Sequence, residues 1–197
     1  NRIGASARPQ ASCAQAQSQG KANNNSMPNV LFIITDQEKN YTNLPPNVVF
    51  PNRERLRNKS LNFTNYYVQS ALCAPSRSVI YTGQAIPKTG VYNNLNAASP
   101  ATAPRLPKGF PTIGSMLREL GYYTTYKGKW KLSYLNHHPD KTPTQELNDY
   151  GFSEYNDCGE CYTKEMKGHD VDPMTAAEAV SWLNYRGRTN NDDPWFM

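Results

Sequence analysis

Residues 30–34, Val-Leu-Phe-Ile-Ile, are the longest uninterrupted apolar run in the chain, and the run stops at Thr35-Asp36. Five apolar residues without alternation describe a strand buried on both faces. Such a strand needs helices above and below it, which calls for a parallel α/β arrangement. The run is far short of the roughly 20 apolar residues that a membrane-spanning helix requires, so the sequence predicts no membrane span.

The rest of the pattern fits that arrangement. Pro51 can open a short charged helix over 51–57, residues 61–68 alternate loosely and are rich in β-formers, and residues 76–81 read as a helix stopped by Gly83. Apolar residues at 113, 116, 117 and 120 mark an amphipathic helix over 112–120, with Gly121 just beyond its end. A short Tyr- and Thr-rich strand over 122–126 follows, then a helix over 173–185 begun by Pro173 and stopped by Gly187. An apolar strand begins at Trp195. The expected fold class is α/β, a mostly parallel sheet flanked by helices and incomplete at the C-terminus. Residues 1–28, mainly Ala, Ser, Gln and Asn, read as a disordered leader. Residues 29–197 then form the folded part. The leader has no apolar segment, but a cleaved signal peptide could leave it behind, which predicts a periplasmic or secreted protein.

Charge is distributed unevenly. Residues 30–131 carry thirteen bases and four acids, whereas residues 132–197 carry five bases and twelve acids. The basic part suggests a surface that handles anions. Nucleic acid is not the expected anion, because no helix-turn-helix, zinc-finger or RNP-type pattern is present.

In open parallel sheets, functional groups collect at the carboxyl ends of the strands. Asp36 lies just past the first strand and Lys129 just past the Tyr-rich one, so both are predicted at the same sheet edge. Between them comes Cys73-Ala-Pro75-Ser-Arg77, followed by Thr82-Gly83. This segment sets a thiol beside the start of a helix with Arg77 one turn on. Free backbone N–H groups, the helix dipole and a guanidinium all favour an anion there. A small buried cysteine in a proline-containing loop fits the same residues.

Cys-x-Pro-Ser-Arg followed by Thr-Gly resembles the signature of the type I sulfatases, in which the cysteine becomes formylglycine. The strand ending in Asp36, the segment Gly121-Tyr-Tyr-Thr with Gly128-Lys129-Trp130, and Tyr150-Gly-Phe-Ser-Glu-Tyr155 are similar to segments of that family, in the same order. The resemblance runs from about residue 28 to the C-terminus and implies an alkaline-phosphatase-like fold and a sulfuric ester hydrolase.

It also implies roles. Cys73 would become formylglycine through a formylglycine-generating enzyme, and its hydrate would supply the nucleophilic oxygen. Arg77 would hold that hydrate, and Lys129 would contact sulfate oxygens. Asp36 and Gln37, with the modified Cys73, would face one divalent cation. Ca²⁺ is expected, a hard ion that prefers oxygen donors. The substrate would be a sulfate ester, with sulfated carbohydrates among the candidates. The chain alone is expected to be inactive, since the family's other ligands lie further along.

Three positions depart from the family, one of them Lys127, which stands where a small or branched residue is usual. Gln37 stands where many relatives have a second Asp, which keeps a phosphonate or phosphate monoester hydrolase of the same superfamily as an alternative. Lys131 stands where His is usual. It retains positive charge as a catalytic candidate but is a poorer proton shuttle near neutral pH, with an unperturbed pKa of about 10.4 against about 6.5 for His. That departure keeps a third reading open, a non-catalytic homologue that binds sulfated glycans. Cys158-Gly-Glu-Cys161, with His169 and His137-His138 not far off, leaves zinc, a local disulfide and two free thiols all open.

Overall fold

The structure is a computed structural model that describes residues 27–38, 45–95, 104–135, 142–156, 168–188 and 193–197. Most of the expected leader and the Cys158/Cys161 pair lie outside these residues.

The chain forms helix α1 (Pro51–Arg57), helix α2 (Cys73–Thr82), a short turn of helix α3 (Ile86–Thr89) and helix α4 (Ile113–Glu119). Strand β1 (Tyr123–Lys127), helix α5 (Pro143–Asn148), strand β2 (Glu154–Asn156), helix α6 (Gly168–Arg188) and strand β3 (Trp195–Phe196) follow. The sheet has the order β2-β1-β3 and both pairings are parallel, the α/β organisation that the sequence predicts.

Local chemistry explains most boundaries. Thr112 caps α4 through a capping box, its hydroxyl accepting from Ser115 N at 3.2 Å while Ser115 Oγ accepts from Thr112 N at 2.9 Å. Thr142 and Gln145 make the same reciprocal cap on α5. Helix α2 ends at Gly83, whose φ of 65° suits a residue without Cβ.

Three differences from the sequence reading stand out. Residues 30–32 do run parallel to β3, with Val30 N donating to Trp195 O and Phe32 N to Met197 O, both at 2.8 Å. They are not buried on both faces, however: Leu31, Phe32 and Ile33 are 47%, 43% and 72% exposed, because they line an open cleft instead of packing directly against a helix. Residues 61–68 form no strand, and Leu61, Phe63 and Tyr67 are exposed, since β-propensity without a partner strand fixes nothing. Helix α6 begins at Gly168 and runs through Gly187, with Pro173 inside it rather than at its start.

The core is an aromatic cluster beneath the sheet's carboxyl edge. Trp130 is fully buried, and its ring centroid lies 5.2–5.7 Å from those of Tyr150, Tyr81, Tyr126 and Phe152. Its indole N–H, the polar group that burial would orphan, donates to Ser133 Oγ at 3.0 Å. Glu146 is also fully buried and takes a hydrogen bond of 2.8 Å from Lys108 Nζ, which bonds Asp149 as well at 2.9 Å.

Candidate active site

Helix α2 starts at Cys73, three residues earlier than the sequence pattern indicates. Pro75 is no obstacle, because the first turn's N–H groups have no intrahelical partner. No side chain of the N-cap residue Leu72 closes this end. Instead Asn94, from the loop after α3, reaches back and accepts from Ala74 N at 2.9 Å. Cys73 and Arg77 are four residues apart and therefore share one face of α2.

Two other segments meet that face at the carboxyl end of the sheet, one on either side of β3. Asp36 follows the segment that pairs with β3, and Lys129 follows β1, with Gly128 (φ 93°) making the turn between strand and lysine. Lys129 Nζ lies 2.7 Å from Asp36 Oδ2 and 3.5 Å from Cys73 Sγ. Cys73 Sγ lies 3.8 Å from Asp36 Oδ1, and Arg77 Nη2 stands 3.8 Å from the same oxygen. One thiol, one carboxylate and two cations from three distant stretches of chain thus occupy one small volume.

Burial alone would raise the Asp36 carboxyl pKa. The hydrogen bond and charge of Lys129, with the charge of Arg77, outweigh it and hold the group below its usual value. Arg77 is almost buried, which by itself disfavours its charge. The phenolic oxygens of Tyr126 and Tyr81, with Asp36 and Cys73, more than offset that and raise its pKa. Asp36 is therefore a carboxylate and Arg77 a guanidinium at any ordinary pH.

Asp36, Gln37, Arg77, Tyr126 and Lys129 line one end of a cleft of about 1060 Å³ that runs on between residues 31–34 and α6. Gly128 brings the β1 turn close to α6, where a Cβ would stand 3.3 Å from Thr175 Cγ2. Lys127 and Lys131, which strand alternation would place beside Lys129, behave differently. Lys127 is nearly buried, and its ammonium pairs with Glu154 Oε1 at 3.4 Å. Lys131 has a φ of 63° and is absent from the cleft lining. The turn at Gly128 breaks the register: Lys127 and Lys129 both line the cleft, with Lys127 paired to Glu154, and Lys131 does not.

The metal-ligand candidates can be weighed by donor chemistry. Asp36 has two oxygens and Gln37, at a φ of 54°, one side-chain carbonyl beside it; both are donors of the hard kind. They fit a hard cation in kind and fall short in number of the 6–8 oxygens that Ca²⁺ takes. No group of three or more His, Cys, Asp and Glu side chains among the described residues comes together as a metal cage.

Sequence reasoning missed two residues around the site: Tyr81, which lies with Tyr126 behind Arg77, and Asn94, which caps α2. Tyr81 carries a readable signal, since Cys73, Arg77 and Tyr81 follow a four-residue spacing on one helix. Asn94 carries none, because its contact depends on how the loop after α3 folds back.

The sulfatase family model matches residues 28–197. An arylsulfatase of Hemicentrotus pulcherrimus is 39% identical over 79 residues, 40% of this chain and 14% of that protein. Human arylsulfatase A is 33% identical over 109 residues, covering 53% of this chain and 21% of the relative. The N-acetylgalactosamine-6-sulfatase of Canis lupus familiaris is 28% identical over 144 residues, 68% of this chain and 26% of that protein. The chain thus spans about a quarter or less of the length of these relatives. The crystal structure of a candidate sulfatase from Bacteroides fragilis superposes with a TM-score of 0.65 over 92% of this chain and 44% of that one, at 19% identity, a likeness of fold. With a match that runs from the first apolar segment to the last residue, the chain belongs to the sulfatase family.

Proposed function

We propose that the protein carrying this chain hydrolyses sulfate esters, with Cys73 as the residue that becomes the nucleophile. The observation that carries this reading is the meeting of Cys73, Asp36, Arg77 and Lys129 within hydrogen-bonding or ion-pair reach. Cys73 would be oxidised to formylglycine by a formylglycine-generating enzyme, and its hydrate would supply an oxygen nucleophile that can later expel sulfate and regenerate the aldehyde.

The chain's own residues would do the rest. Asp36, Gln37 and the modified Cys73 would hold one divalent cation, Ca²⁺ by donor chemistry, and the cation would offset charge developing on the sulfate. Arg77, fixed almost out of solvent, would orient the nucleophile and keep its charge throughout. Lys129, whose ammonium sits beside Cys73, would bond a sulfate oxygen as charge builds up on it. Lys131 would add positive charge two residues away. The helix N-terminus at Cys73 favours the same anion.

The test uses the full-length protein coexpressed with a formylglycine-generating enzyme. Mass spectrometry of the Cys73 peptide should show sulfur replaced by oxygen with loss of two hydrogens. The protein should then hydrolyse 4-nitrophenyl sulfate faster than the corresponding phosphate or phosphonate monoesters. An aldehyde-bearing, metal-loaded protein that turns over the phosphonate but not the sulfate would move the assignment to the phosphonate hydrolases. One that binds sulfated glycans and turns over none of these esters would make it a binding homologue.

A further inference from the structure

We infer that Tyr126, with Tyr81 behind it, is a positioning residue that fixes Arg77 and Lys129 against Cys73. The inference deepens the proposed hydrolase reading and rests on it for its kinetic consequence, although the arrangement itself is independent of the reaction.

One atom joins the elements of the site: the backbone carbonyl oxygen of Lys129. It accepts from Arg77 Nη1 at 2.6 Å and from the Tyr126 hydroxyl at 2.6 Å. The Tyr126 oxygen lies 2.8 Å from the Tyr81 hydroxyl and 3.4 Å from Arg77 Nη1. Proton counting then orders the chain. A carbonyl cannot donate, so the single hydroxyl proton of Tyr126 is committed to Lys129 O, and the proton between the two phenols must come from Tyr81. The hydrogen bonds run one way, from Tyr81 to Tyr126 to Lys129, with the guanidinium bonded alongside.

The geometry gives this relay leverage. Tyr81 lies on α2 one turn beyond Arg77 and two beyond Cys73, and Tyr126 lies near the end of β1. The relay therefore fastens the helix that carries the nucleophile to the turn that carries Lys129. That turn needs fastening from behind, because Gly128 leaves strand geometry there and the Lys129 ammonium reaches forward to Asp36 and Cys73. Trp130, fully buried next door, holds the following residue in the core. Tyr81, Arg77 and Tyr126 are 3%, 6% and 8% exposed, so water does not compete for these bonds. Burial also raises the pKa of both phenols, which keeps the donors protonated.

The experiment compares the full-length, formylglycine-bearing parent with Tyr126→Phe, Tyr81→Phe and the double variant. Each change removes only hydroxyl groups. Tyr126→Phe should lower kcat/KM for 4-nitrophenyl sulfate by about tenfold or more and weaken inhibition by inorganic sulfate by a similar factor. Tyr81→Phe should act in the same direction but less, and the double variant should be no worse than Tyr126→Phe alone, because both act through one chain of bonds. A hydroxyl that only stabilises the fold would reduce the amount of active enzyme and leave the sulfate inhibition constant unchanged; that result would overturn the inference. If the parent hydrolyses no sulfate ester, the hydrolase reading fails, and crystal structures of parent and Tyr126→Phe decide the positioning. Displacement of the Arg77 guanidinium or Lys129 Nζ by more than about 0.5 Å supports it, and smaller shifts of both overturn it. Should Tyr126→Phe not fold, Tyr81→Phe is judged by the same measurements.

Discussion

Lys129 Nζ donates to Asp36 Oδ2 at 2.7 Å across 93 residues of chain, and the same ammonium is 3.5 Å from Cys73 Sγ. The contact ties the carboxyl ends of two sheet segments together at the thiol. It also separates two lysines that look alike in the sequence. In the full-length, formylglycine-bearing enzyme, Lys129→Ala should cost about 10²–10³ in kcat, the usual loss for one donor aimed at developing charge. Lys131→Ala, outside the cleft lining, should cost less than about tenfold. Steady-state kinetics on one sulfate ester checks both, and a larger loss at Lys131 would reverse the assignment.

Lys108 is expected to be a structural cation. Its ammonium bonds Glu146, which is fully buried, as well as Asp149. Lys108→Met leaves the Glu146 carboxylate without that charge and should destabilise the protein by roughly 3 kcal/mol. Adding Glu146→Gln should recover part of the loss, because the buried negative charge is then gone. Denaturant melts of the two variants measure the difference; equal melts would show that Lys108 does not compensate Glu146.

Gly151 should tolerate no side chain. Its φ is 89°, and a Cβ there would run into the backbone of Gly114 and Ser115 at the start of α4. The dihedral penalty alone is about 1–2 kcal/mol, and the backbone collision should bring the cost of Gly151→Ala above about 3 kcal/mol. Gly109, with a φ of 77° and open space around it, is the control and should lose only the dihedral part. Thermal melts of the two variants make the comparison.

Stability should fall on the alkaline side. Burial raises the pKa of Tyr81, that of Tyr126 well above the ordinary value, and that of Tyr150 to about 12, the last helped by the Glu146 charge. In the unfolded chain these phenols ionise near about pH 10. Above that pH the folded state binds more protons than the unfolded one, so the stabilisation present below pH 10 is lost as pH rises through the folded-state values. Melting temperature should therefore decline from about pH 10 upward, and a melting temperature that stays flat from about pH 10 to about pH 12 would contradict it.

The sequence made the parallel α/β plan legible because its signals are local. An apolar run, a four-residue helical spacing and glycines at helix ends each report on their own neighbourhood. The convergence of Asp36 and Lys129 was also readable, since strand ends in a parallel sheet share an edge. Exposure at residues 31–33 and 61–68 was not, because burial of a β-forming segment depends on what lies beside it. The fate of Lys127 and Lys131 turned on a single dihedral at Gly128, and the cap at Asn94 on a loop's return path. The phenol pair was half visible: helical spacing aligns Tyr81 with Arg77, but its meeting with Tyr126 is a tertiary event.

The parallel seam between residues 30–32 and 195–197 also sets a timetable. Asn29 Oδ1 accepts from Trp195 N, a contact that spans 166 residues. At a synthesis rate of about 5–20 residues per second, the first apolar segment leaves the ribosome on the order of ten to thirty seconds before its neighbour exists. Throughout that interval the seam that pairs residues 30–32 with 195–197 cannot form, and contacts so far apart in sequence are slow to make. A nascent chain with such a seam depends on something else to shield its leading edge, so the yield of folded protein should respond to translation speed and to chaperones that hold extended apolar segments.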